Sequence, residues 1–123
     1  MVSTPPSLRG RRVLVVEDDF VVAEETAYGL EWYGATVMGP ALTVREALGL
    51  LEAEGAPDFA VLDVNLGGER VYPMAEALRA SSTRFVFATG YAAELIDPRF
   101  AGAPVCEKPV SARRLARALL SFL

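Results

Sequence analysis

The chain has 123 residues, 52% of them hydrophobic and 23% charged, which describes one folded domain with a substantial core and excludes a disordered chain or two domains. Its formal charge of −4 and the lack of any basic arm argue against nucleic acid and anionic membrane as direct partners. A single cysteine and no histidine exclude an internal disulfide, a zinc cluster and any histidine-based catalytic triad.

Residues 1–10, with Pro5, Pro6 and Gly10, read as a flexible lead-in without the apolar core of a signal peptide. No apolar run approaches the length of a bilayer span, so the expectation is a cytoplasmic domain over residues 11–123. Arg12 to Val16 is a buried-strand pattern that ends in Glu17, Asp18 and Asp19. Asp19 fits an exposed carboxylate opening the helix that follows, where the helix dipole favours it. Val22, Ala23, Ala27, Leu30 and Tyr33 fall near helical spacing before Gly34, and Trp32 with Tyr33 reads as packing between helix and sheet.

Ala35 to Met38 is a short strand closed by Gly39-Pro40. Thr43-Val44-Arg45-Glu46 has the pattern of a capping box, and Ala47, Leu48, Leu50 and Leu51 supply the buried face of the helix it opens. Phe59 to Leu62 is an apolar strand ending in Asp63, with an abrupt turn marked by Asn65, Gly67 and Gly68. Val71 to Ala80 is helical, with Pro73 tolerable only in the first turn.

Arg84 to Ala88 is a strand ending in Thr89-Gly90. From Gly90 to Pro104 the pattern weakens: two glycines and two prolines leave room for one short helix near Ala92 to Ile96, and the stretch is expected to open at small cost. Val105 to Glu107 is a brief strand before Lys108-Pro109, and Ser111 caps a last helix carrying Leu115, Ala118, Leu119 and Phe122 on one face. The alternation predicts an α/β fold: a five-stranded parallel sheet with right-handed crossovers and helices on both faces, the fourth helix short or irregular.

In such a sheet, ligands and reacting groups gather at the carboxyl ends of the strands. Glu17, Asp18, Asp63, Thr89 and Lys108 all stand at such ends. Clustered carboxylates repel one another and call for a cation, and an all-oxygen site with few protein ligands suits Mg²⁺. Lys108 adds a compact positive charge, Thr89 a hydroxyl, and Asp63 a carboxylate able to act as a nucleophile toward a phosphoryl group.

With VLVVEDD, VLDVN, FATG and EKP on four strands, the sequence resembles the receiver (CheY-like) domain of two-component response regulators over residues 11–123. The resemblance implies a flavodoxin-like strand order of 2-1-3-4-5, Asp63 as phosphoacceptor, and Mg²⁺ held by Glu17, Asp18, Asp63 and the backbone carbonyl of Asn65. It implies that Thr89 and Lys108 engage the phosphoryl group, that Lys108-Pro109 is cis, and that the domain catalyses only its own phosphotransfer and slow dephosphorylation. The implied partners are a sensor histidine kinase and a downstream protein, with the receiver a monomer or weak dimer, or a sink for phosphate.

Two features depart from many receivers: Leu66-Gly67-Gly68-Glu69 follows the acceptor strand in place of Met-Pro, and Val105 replaces an aromatic residue. FATGY resembles the stand-alone FATGUY subgroup, implying a kinase of the HWE or HisKA2 type and leaving Tyr91 divided between core packing and shielding of the phosphoryl group. The competing readings are an aspartyl-phosphate phosphatase, which needs an acid where Asn65 stands, and a degenerate receiver serving as a non-phosphorylated binding module.

Overall fold

A computed structural model describes residues 4–90 and 95–123. Among the described residues there are seven strands: β1 (Arg12–Val16), β2 (Thr36–Ala41), β3 (Phe59–Leu62), β4 (Asn65–Leu66), β5 (Glu69–Arg70), β6 (Arg84–Thr89) and β7 (Val105–Glu107). Four α-helices among the described residues join them, α1 (Phe20–Trp32), α2 (Val44–Glu54), α3 (Tyr72–Ala80) and α4 (Ala112–Leu120), with a 3-10 turn at Pro98–Phe100. The main sheet is parallel and ordered β2-β1-β3-β6-β7. That is the predicted 2-1-3-4-5 arrangement once the β4–β5 hairpin, absent from the sequence reading, is set aside.

Each face of the sheet carries its own core, because the strands alternate their side chains between two apolar layers. Leu14, Val16, Ala60, Leu62, Phe85 and Phe87 face the layer closed by α2 and α3. Val13, Val15, Val61, Val86 and Cys106 face the layer closed by α1 and α4. Gly29 lets α1 and α4 approach closely, since a Cβ there would collide with the Cβ of Ala112.

The helix starts follow the sequence signals. Asp19 caps α1, accepting from the N–H groups of Val21 and Val22, and Ser111 caps α4 through the Arg114 N–H. Thr43 accepts from the Glu46 N–H at 3.1 Å, but Glu46 reaches back to the Leu42 N–H at 2.8 Å, one residue before the cap. Pro73 lies in the first turn of α3.

Several expectations are corrected. Trp32 is 77% exposed and does not pack on the sheet, while Tyr33 is half-buried against the α1–α4 core. Leu48 is 37% exposed and not part of the core, and α2 buries Val44 and Ala47 with Leu50 and Leu51 half-covered. β2 does not stop at Gly39-Pro40; it runs to Ala41 through a bulge, Leu14 pairing with Met38 and Val16 with Ala41. An edge strand can absorb a proline, which has no N–H to give the ladder.

The lead-in is anchored within residues 1–10: Leu8 is fully buried and its N–H donates to the Tyr33 carbonyl at 2.7 Å. The predicted short helix near Ala92 to Ile96 and the role of Tyr91 lie for the most part outside the described residues. In the stretch that follows, Ile96 and Phe100 are buried in the core. No helix among the described residues is long and apolar enough to cross a membrane.

Candidate functional site

The carboxyl ends of β1 and β3 bring their acids together because the two strands are hydrogen-bonded neighbours with Val16 opposite Leu62. The next residue on each strand is therefore an acid, Glu17 beside Asp63, and the Asp63 N–H donates to the Val16 carbonyl at 2.9 Å. Both carboxylates are buried, whereas Asp18 is exposed at the rim. Carboxylate oxygens of Glu17, Asp18 and Asp63 lie within 4.8 Å of one another.

Lys108 reaches into this cluster from the end of β7. Its ammonium donates to Asp63 Oδ2 at 2.9 Å and to Glu17 Oε1. The Lys108-Pro109 peptide is cis, as expected. The Lys108 backbone N–H donates to the Thr89 carbonyl at 3.0 Å, so Thr89, itself buried, belongs to the same strand edge. The structure thus gathers Glu17, Asp18, Asp63, Thr89 and Lys108 at one edge, with Glu17, Asp18, Asp63 and Lys108 forming the cluster itself.

Three carboxylates and one ammonium leave a net charge of about −2 in a partly buried site. Burial pushes the Glu17 carboxyl up to about 7, outweighing the opposing bond from Lys108, with nearby Asp63 adding to the rise. Burial alone would lower the Lys108 ammonium, but its bonds to Glu17 and Asp63 win and hold it above its ordinary value. An oxygen-only donor set with excess negative charge fits a hard divalent cation such as Mg²⁺ or Ca²⁺, so the residues present suit the metal that the sequence implied.

The β4–β5 hairpin forms the remaining wall. Gly67 and Gly68 have φ of +64° and +96°, the left-handed pair that a tight two-residue hairpin requires. The Asn65 side-chain oxygen accepts the Gly68 N–H at 3.0 Å, and the Asn65 N–H donates to Asp63 Oδ1 at 3.3 Å. The turn lies against the Asp18 carboxylate near Gly67. At the far end of the hairpin, Glu69 accepts the Val44 N–H at 3.4 Å, tying the loop to the start of α2. Sequence reasoning missed this role; Glu69 following the Gly-Gly pair was the only signal. A cavity of about 510 Å³ opens beside Asp63 and Lys108 and runs between α1 and α4 over Val22, Thr26 and Leu115.

No family model matches the sequence, and no curated protein matches it. Solved structures do. SdrG from Sphingomonas melonis Fr1 is 36% identical, with 96% of this chain and 99% of SdrG covered at a TM-score of 0.68. A response regulator protein from Burkholderia pseudomallei, with a phosphorylated aspartic acid, calcium ion and citrate, is 31% identical over 89% of this chain and 66% of that one, TM-score 0.78. The chain belongs to the receiver domains of response regulators. The response regulator PhyR from Brucella abortus is 27% identical with a TM-score of 0.74; the match covers 90% of this receiver and 46% of PhyR, so the receiver spans about half of that protein.

Proposed function

We propose that this receiver accepts a phosphoryl group from a histidine kinase onto Asp63 and passes the change on by docking to another protein or by acting as a phosphate sink. The observation that carries the reading is the Lys108 ammonium bridging Asp63 and Glu17 inside a three-carboxylate cluster. An Asp63 oxygen attacks phosphorus, the donor's P–N bond breaks, and its electron pair returns to the imidazole. Asn65 holds Oδ1 through its N–H and Lys108 holds Oδ2, so the carboxylate is oriented before the donor arrives. Glu17, Asp18, Asp63 and the Asn65 carbonyl would hold Mg²⁺, which supplies charge neutralisation on the transferred group. Lys108 and the Thr89 hydroxyl take the phosphoryl oxygens afterwards.

The proposed role is a signal and not a turnover enzyme. An aspartyl-phosphate phosphatase needs a proton donor two residues beyond its nucleophile, and Asn65 is an amide whose oxygen is engaged by Gly68. Membership of the FATGUY subgroup and a kinase of the HWE or HisKA2 type belong to the same proposal, supported by Phe87 to Tyr91. Docking of the kinase is supported by α1, where Val21, Tyr28 and Trp32, spaced seven and four residues apart, form one exposed face with Phe20 at its site end.

Incubation with acetyl phosphate and Mg²⁺, followed by intact mass, tests the reading. A stable gain of one phosphoryl group, absent in Asp63→Asn, is expected. The same gain in the variant places the acceptor elsewhere, rapid phosphate release points to the phosphatase, and no gain points to a binding module.

A further inference from the structure

At the opposite edge of the sheet, where β6 and β7 begin, the charge pattern reverses. A hollow of about 400 Å³ lies between the end of α3, the start of β6 and the Gly102–Pro104 segment. Two of its lining residues, Arg79 and Arg84, carry guanidinium groups, and no lining residue is acidic, in a chain whose net charge is −4. Among the described residues neither guanidinium has a carboxylate within ion-pair distance.

Both groups are held by aromatic rings. The Arg79 guanidinium sits 4.4 Å from the Phe100 ring centre and donates to the Arg99 carbonyl, and that of Arg84 sits 5.8 Å from the Phe122 ring centre. A guanidinium drawn to a ring face keeps N–H groups free for an acceptor, and such a group suits bidentate recognition of phosphate or carboxylate. Phe85, Phe122 and Pro104 give the hollow an apolar wall, and Ser82 contributes an exposed hydroxyl at the rim. Its size falls in the range of small-molecule sites, which combine an apolar lining with a few polar groups.

We propose that this hollow binds a small organic oxyanion, with the phosphate or carboxylate between Arg79 and Arg84 and a flat apolar body against Phe122 and Pro104. The site is separate from the acidic cluster and does not depend on phosphorylation of Asp63.

Amide NMR titrations of the full chain with inorganic phosphate, phenyl phosphate and benzoate test it. Phenyl phosphate is expected to give saturable shifts centred on Ser82 to Phe85 and Gly102 to Ala103, and to bind more tightly than inorganic phosphate because only it uses the apolar wall. The order of phenyl phosphate and benzoate tells which oxyanion the arginines prefer. Arg84→Gln should weaken binding by about tenfold or more, the loss expected for one charge-assisted contact. Arg79→Gln is a second variant with the same expected direction. Absence of saturable shifts, affinity unchanged from the parent in both variants, or equal binding of phenyl phosphate and inorganic phosphate would overturn the proposal.

Discussion

Replacing Lys108 with methionine keeps most of the side-chain volume and removes the only ammonium in the acidic cluster. The consequence follows from the contacts: Lys108 bonds Asp63 and Glu17, both buried, while a quarter of its own side chain is exposed. At an effective dielectric of about 20 each unit-charge contact is worth roughly 4 kcal/mol before desolvation is subtracted, and breaking a buried pair by deleting one partner costs about 3–5 kcal/mol. Partial exposure and proton uptake by Glu17, already pushed up to about 7, reduce this, so the expected loss is ~2–3 kcal/mol near pH 8 without metal. Near pH 5 the Glu17 carboxyl is protonated in the parent protein as well and its ion pair with Lys108 is already gone, while the pair with Asp63 remains, so the loss should be smaller than near pH 8 without vanishing. Urea unfolding of both proteins in EDTA at the two pH values measures the difference. Equal losses at both pH values, or none at either, would refute the view that Lys108 is there to neutralise these carboxylates.

Three other outcomes follow from the same geometry. Because the Glu17 carboxyl titrates higher in the folded chain than its ordinary 4.5, its contribution to stability is complete below that value and is lost as pH rises through about 7. Urea unfolding in EDTA should therefore show stability declining across that window, and saturating Mg²⁺ should flatten the decline. Leu8→Ala should cost about 2–4 kcal/mol, as for a fully buried leucine, whereas Arg9→Ala, on the exposed neighbour, should change the urea midpoint little. Burial pushes the Cys106 thiol up against a smaller opposing effect of Arg114, so intact mass after iodoacetamide near pH 8 should show alkylation only once the chain is unfolded.

The main strands and the site were legible because buried parallel strands must be apolar throughout, so each polar interruption marks a strand end. That pattern located Glu17, Asp63, Thr89 and Lys108 before any geometry was known. The misses have physical causes too. α1 carries apolar residues around most of its circumference: Ala23, Ala27 and Leu30 are buried while Val21, Tyr28 and Trp32 are exposed, and spacing alone does not say which stripe faces the sheet. The hairpin strands at Asn65–Leu66 and Glu69–Arg70 have two residues each, too few for any period. Leu8 stands alone between polar neighbours, so its anchoring depends on where Tyr33 returns, which is tertiary information.

The segment after Thr89 shows the same limit with a functional consequence. Glycine and proline content made residues 90–104 read as a stretch that opens cheaply, yet its described part is held by partners distant in sequence. Phe100 stacks on Tyr72 at 5.5 Å and meets Phe85 and Phe87 edge-on, and the Asp97 N–H donates to the Tyr72 hydroxyl at 3.0 Å. Arg99 pairs with Asp97 and Glu76, and the Arg79 guanidinium lies 4.4 Å from the Phe100 ring centre. Tyr72 is also the first residue of α3, directly after the hairpin that follows Asp63. The 3-10 turn is therefore anchored on the residue that opens α3, two positions after the hairpin ends. With Val105 too short and too restricted in rotamer for an aromatic swing, we propose that a change at Asp63 is carried outward along the chain to α3 and through the Tyr72–Phe100 stack.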